Sequence, residues 1–179
     1  MNKKLNRKFY TRNAIDVAPQ LLGKLLCRKD KTTGATIALR ITETEVYCGE
    51  CDTACHAKNG KTARNAVMYG LGGFAYVYLC YGIHYLLNIV TGEENDPQCV
   101  LVRGVEGYDG PGKLTRKMWI DKTHHGADLT TSDEIWIEDD GFAVQPSDII
   151  TAPRVGINYA TEEYRLKPWN FRLPPELLS

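Results

Sequence analysis

The segment ETEVYCGECDTACHA, residues 43–57, concentrates side chains that could do chemistry. Two chemistries compete for it. Cys48, Cys51, Cys55 and His56 follow the pattern C-x2-C-x3-C-H, which suggests a metal site. Glu43, Glu45 and Tyr47 suggest instead a carboxylate acting beside an aromatic wall. Zinc sites use four ligands, commonly two close pairs separated by a spacer. Here there is one cluster; Cys80 and Cys99 are distant, and His124-His125 lies in a turn-like stretch. Adjacent Cys55 and His56 are awkward for a single ion, and iron–sulfur clusters use other spacings. No metal is therefore expected, and the thiols read as small buried or loop residues.

The carboxylate reading rests on alternation. Side chains along a strand point to opposite faces with period two. Ile37, Leu39 and Ile41 share one face, and the same parity reaches Glu43, Glu45 and Tyr47. An apolar face that runs into glutamates must partner them or place them at a cavity. Burial there raises a carboxyl pKa and makes Glu45 a candidate general base. The competing reading ends the strand at Ile41 and leaves both glutamates in solvent.

Two more segments must position this chemistry. AYVYLCYGIHYLLNIV, residues 75–90, reads as a hairpin broken at Tyr81-Gly82. A turn centred on Gly82 sets Cys80 opposite His84, Tyr78 opposite Leu86 and Tyr76 opposite Asn88. Tyr76, Tyr78 and Asn88 then share a face, and Tyr81 is pushed out at the tip, where an exposed aromatic often marks a contact. In QCVLVRGV, residues 98–105, Cys99, Leu101 and Arg103 share a face. An arginine in so apolar a run needs an anion, either a carboxylate or a phosphate. Spacing alone favours the carboxylate.

The remaining elements follow from local signals. Asn13 can cap a helix that runs to about Leu22 and stops at Gly23, with Pro19 weakening it. LLCRKD and ATIALRITETEVY read as two strands around the turn KTTG. GPGKLTRKMWI reads as a helix, EIWIE as a short strand, and the Pro-rich tail from Lys167 as irregular. Hairpin-connected strands with a few helices give the α+β class. The expected architecture is one domain, a curved, mostly antiparallel sheet with a protruding hairpin, surrounded by helices.

Bulk composition bounds the partners. The chain has 179 residues, 43% hydrophobic and 25% charged. No apolar run reaches the roughly 20 residues of a membrane span, and the basic start has no apolar segment after it. Six cysteines without such a leader point to a reducing compartment, the cytoplasm or a nucleus. Formal net charge is zero, yet residues 1–40 carry ten Lys/Arg against only Asp16 and Asp30. Residues 1–12 are expected to be a basic, flexible N-terminus ahead of one domain over 13–179. The basic segment can meet a polyanion or merely aid solubility.

Taken together, the segments LLGKLL, ITETEVYCGECDTACHAKNGKTARNAVMYGLGGFAYVYLCYGIHYLLNIVT, CVLVRGVE, GPGKLT, APRVGINYA and KPWNFRL resemble the alkyladenine (3-methyladenine) DNA glycosylase family, in order along nearly the whole chain. The resemblance implies excision of alkylated or deaminated purines from double-stranded DNA in base excision repair, by a monomer that needs no cofactor. The damaged nucleotide is rotated out of the duplex, because its glycosidic bond cannot be reached in the stack. The resemblance makes Glu45 the general base toward water and Arg103 the arginine near that water and the nucleotide's phosphate. It makes Tyr47, His56 and Tyr78 the pocket around the extruded base. Tyr81 becomes the wedge that fills the gap, and Asn88 the residue disfavouring guanine's exocyclic amine. Lys58, Lys61 and Arg64 follow the pocket motif as candidate phosphate contacts or as a solvated loop. This sequence departs from the family pattern in two places. Only Gly104–Pro111 separate Arg103 from GKLT, where the family carries a longer helical insertion. Gly49-Glu50 also stands in place of a glycine-proline pair. Two other readings stay open: a DNA-binding member impaired in catalysis by the short connector, and a zinc-binding domain.

Overall fold

A computed structural model describes residues 2–30 and 32–178. Met1, Ser179 and Lys31, the first residue of the expected KTTG turn, lie outside the described residues. The strands are β1 (Lys3–Lys4), β2 (Leu25–Lys29), β3 (Thr36–Cys48), β4 (Ala75–Cys80), β5 (His84–Thr91), β6 (Gln98–Val105), β7 (Tyr108–Asp109), β8 (Ile135–Asp139), β9 (Ile150–Ala152) and β10 (Asn170–Arg172). The α-helices are α1 (Arg7–Tyr10), α2 (Ala14–Leu21), α3 (Pro111–Lys117) and α4 (Glu162–Leu166). Among the described residues all ten strands join one antiparallel sheet in the order β1-β8-β2-β3-β6-β5-β4, with β7 on β6, and β10 between β3 and β9. This is an α+β fold.

Local chemistry explains the helix ends. The Asn13 side chain accepts from the Ile15 N–H at the start of α2, one of the donors a helix start leaves unpaired. Pro19 sits in the last turn of α2, where it cannot supply the N–H of an i→i−4 bond, and the helix stops soon after it at Leu21. Pro111 opens α3 in its first turn, where a missing N–H is tolerated. Ala14, Val17, Ala18 and Leu21 of α2, Leu114 of α3 and Met118 just after it share the main core with Val46, Leu87, Ile89, Val100 and Val102. Tyr10 is fully buried there, so the basic N-terminal segment is tied in by its own aromatic and by the pairing of β1 with β8.

The tail differs from the sequence expectation. Beyond Lys167 it is not wholly irregular: Asn170–Arg172 form β10, with Asn170 opposite Glu45 and Arg172 opposite Glu43. The tail has no period-two run long enough to announce a strand. Its pairing comes from the free edge that β3 offers there.

Candidate active site

β3 is the spine of the site. Its run of parity is broken, contrary to the alternation read from the sequence. The register against β6 slips between Ile41 and Glu43 and again between Glu43 and Thr44. Thr42 and then Arg103 are left without a facing residue. As a result Ile41 and Val46, of opposite parity, both enter the main core. The Thr44 hydroxyl donates to the Ala18 carbonyl of α2. Glu43, Glu45 and Tyr47 then lie on the other face, beside Leu101 and Cys99. Bulges next to active sites re-aim side chains in this way. Here the second slip turns Arg103 toward both carboxylates.

Glu45 is fully buried. Its Oε1 accepts from the Val155 N–H at 2.7 Å and the Asn170 amide at 3.1 Å, and lies 3.5 Å from Arg103 Nε. Its Oε2 accepts from the Tyr47 hydroxyl at 3.1 Å. Arg103 Nε also donates to Glu43 Oε1 at 3.2 Å. Burial pushes the Glu45 carboxyl above its ordinary range, against the pull of Arg103 and the Val155, Asn170 and Tyr47 donors. One oxygen is thus crowded with donors, and the other holds the hydroxyl of Tyr47, whose ring walls the adjacent cavity.

That space is aromatic. Tyr47, His56, Met68, Tyr76, Tyr78, Asn88, Cys99 and Tyr159 surround a cavity of about 40 Å³. Tyr47, His56, Tyr78 and Tyr159 also border a cleft of about 820 Å³, so the cavity opens into it. The hairpin has the expected register: Tyr76 faces Asn88, Tyr78 faces Leu86 and Cys80 faces His84. His56 Nδ1 lies 2.8 Å from the Tyr76 hydroxyl, and its ring meets Tyr78 edge-on at 4.6 Å. Burial, with Arg64 and Lys58 nearby, lowers the His56 pKa to about 4. At neutral pH the pocket therefore presents an uncharged imidazole. The Asn88 amide donates to the Tyr76 carbonyl at 3.3 Å, and its oxygen faces the Cys99 thiol at 3.8 Å.

The hairpin tip projects a hydrophobic edge. Tyr81 is 90% exposed and Ile83 71%. Tyr81 (φ 49°) and Gly82 (φ 71°), the first two residues of the three-residue connection between Cys80 and His84, both adopt left-handed backbone. Glycine does so freely, whereas tyrosine pays roughly 1–2 kcal/mol. Lys58 and Arg64 line the cleft, and so do Lys113 and Arg116 from α3. Lys61 is not a wall of the cleft; it lies over the Tyr69 ring.

Sequence reasoning missed the brace behind this pocket. Arg154 and Asp52 form a buried two-pronged ion pair at 2.6 and 2.9 Å. Arg154 also donates to the carbonyls of Val46 and Tyr164, and its guanidinium stacks between Tyr47 and Trp169. Asp52 accepts from the N–H groups of Cys48 and Ala54. The pair fastens the loop carrying His56 to the loop carrying Val155. Asp52 lies inside the segment that drew attention first, and Arg154 inside APRVGINYA, but no local pattern links residues this far apart. Glu43, Val155, Tyr159 and Asn170 were also assigned no role. The three thiols of the loop do not converge: Cys55 is buried, Cys48 half-buried and Cys51 exposed. Among the described residues no three His, Cys, Asp or Glu side chains gather as a metal site would require.

Comparison with known proteins adds independent weight. The family described as methylpurine-DNA glycosylase (MPG) matches residues 8–109 and 106–176. The two matched stretches meet in the short connector that leads from β6 to α3. A protein of Methanocella arvoryzae, whose name includes "3-methyladenine DNA glycosylase", is 44% identical, over 93% of this chain and 90% of its own. Proteins whose names include the same words, from Borrelia garinii and Natranaerobius thermophilus, are each 40% identical, over 93% and 94% of this chain and 94% of their own. These matches give one conclusion: the chain belongs to the methylpurine-DNA glycosylase family.

Proposed function

We infer that this chain is a DNA glycosylase of the 3-methyladenine type, acting in base excision repair on alkylated or deaminated purines flipped out of duplex DNA. The observation that carries the reading is Glu45: wholly buried, one oxygen held by three donors, the other on the hydroxyl of Tyr47, which walls the aromatic cavity. Glu45 Oε2 takes a proton from a water that attacks the sugar C1′. The carboxylate's charge also favours the positive sugar that develops as the bond breaks. Arg103, held at Nε by Glu43 and Glu45, turns the rest of its guanidinium to the cleft and the flipped nucleotide's phosphate. Tyr47, His56 and Tyr78 enclose the base. Aromatic faces favour a cationic alkylpurine by roughly 0.5–2 kcal/mol, and a neutral His56 adds no opposing charge. Asn88 meets the base edge and disfavours guanine's exocyclic amine. Lys58 and Arg64 contact backbone phosphates, with Lys61 further out. A duplex panel carrying 3-methyladenine, 7-methylguanine, hypoxanthine and ethenoadenine tests this directly. Free base is expected from at least one duplex. Tight binding to an abasic-site analogue with no base released from any would favour the impaired DNA-binding member instead.

Tyr81 is the wedge that fills the gap left by the flipped base, offsetting part of the few kcal/mol that unstacking costs. Tyr81→Gly should therefore split two measurements. Relief of left-handed strain is expected to hold or raise thermal stability, by up to about 1 kcal/mol. Affinity for duplex containing an abasic-site analogue should fall. Unchanged affinity would remove Tyr81 from the interface.

A further inference from the structure

We propose that Asn170 is a positioning residue that keeps the base in its working ionisation state, a role that rests on the reading of Glu45 given above. β10 joins β3 through its backbone, so the Asn170 side chain is not needed for pairing. That side chain is nevertheless almost wholly buried. Its amide nitrogen donates to Glu43 Oε1 at 2.6 Å and to Glu45 Oε1 at 3.1 Å. An amide carries two hydrogens on that nitrogen, and here each has a different carboxylate. The bridge sits in a crowded field. Arg103 from β6 reaches both carboxylates, and Tyr47 donates from the same strand. Arg154, paired with Asp52, stands behind Tyr47, and Arg172 lies opposite Glu43 on β10.

Two carboxylates that share donors at close quarters invite a shared proton. A proton held between them would neutralise the oxygen pair that must accept one from water. A neutral amide that donates to both and accepts from neither denies the proton that place. Arginine could also donate to both, but Arg103 is already divided between them and the cleft. The C-terminal strand thus supplies the part of the site that controls when the base is available.

The test compares the pH dependence of kcat/KM for base release in the wild type, Asn170→Ala, Asn170→Ser and the double variant Asn170→Ala/Glu43→Gln. Thermal melting checks folding, and a carbon-13 NMR titration of the Glu45 carboxyl gives a readout independent of turnover. In Asn170→Ala the acid limb and the carboxyl titration should both move up by about one pH unit, with the high-pH plateau retained. Asn170→Ser keeps a hydroxyl donor and should move less. In the double variant the second carboxylate is gone, and the limb should return toward the wild-type position. A plateau lowered at every pH with an unmoved midpoint would overturn the proposal and leave Asn170 a structural residue. So would a double variant that stays shifted. Should the wild type release no base, the reading of the site fails, and the carboxyl titration alone then judges Asn170.

Discussion

Glu45→Gln is expected to lower base release by a factor of about 10²–10⁴, the usual contribution of a positioned base, while binding to an abasic-site analogue persists. The variant should fold. Its amide oxygen can replace Oε1 under the Val155 and Asn170 donors, and its amide nitrogen can donate to the Tyr47 oxygen. Stability should not suffer at neutral pH. A carboxyl whose folded pKa is raised binds its proton more tightly when folded. It therefore costs the fold stability as pH rises through that raised value, and glutamine removes the cost. The same shift sets the wild-type profile: activity should fall as pH drops through a value above the ordinary carboxylate range, not at it. Single-turnover kinetics across pH measure both effects. Full activity in Glu45→Gln would move the base elsewhere.

Glu45 also marks how far the sequence could be read. Alternation along the strand offered burial of Glu45 as one of two readings, the other leaving it in solvent, and the structure buries it. The path to it was not legible, because the two register slips at Thr42 and Arg103 leave no trace in composition. The hairpin register was legible in full, since a turn centred on Gly82 fixes every pair behind it. Arg103 was expected to meet a carboxylate and meets two. Partners supplied from far along the chain, Val155 and Asn170 to Glu45 and Arg154 to Asp52, could not be found by period or spacing. The cysteines drew the eye through their pattern, yet a thiol such as Cys99 acts here as a small wall of the pocket.

Asp52→Ala is expected to destabilise the protein by about 3–5 kcal/mol, because it leaves the buried Arg154 charge without its partner. That is a large share of the roughly 5–15 kcal/mol by which a domain holds its fold. Two backbone donors, at Cys48 and Ala54, lose their acceptor as well. Asp52→Asn keeps the shape and some of the hydrogen bonds, so it should lose less. Denaturant unfolding at neutral pH measures both. Where folded protein remains, the Tyr47 wall and the His56 loop should loosen together, raising KM for damaged duplex more than it lowers kcat. Equal stability of Asp52→Ala and the wild type would mean that the pair is not a brace.

The strand carrying Glu45 is made early, and its donors late. Val155 and Asn170 follow it by 110 and 125 residues. At about 5–20 residues per second of synthesis, roughly 5–25 s pass before those groups exist. During that interval the emerging sheet holds an acidic side chain that lacks the donors of its Oε1 edge. The growing chain therefore acquires the Tyr47, His56, Tyr76 and Tyr78 walls of its pocket before the donors that hold Glu45. The full donor set of Glu45 arrives with β10, so a polypeptide stalled short of it would leave the buried carboxyl without its Asn170 partner.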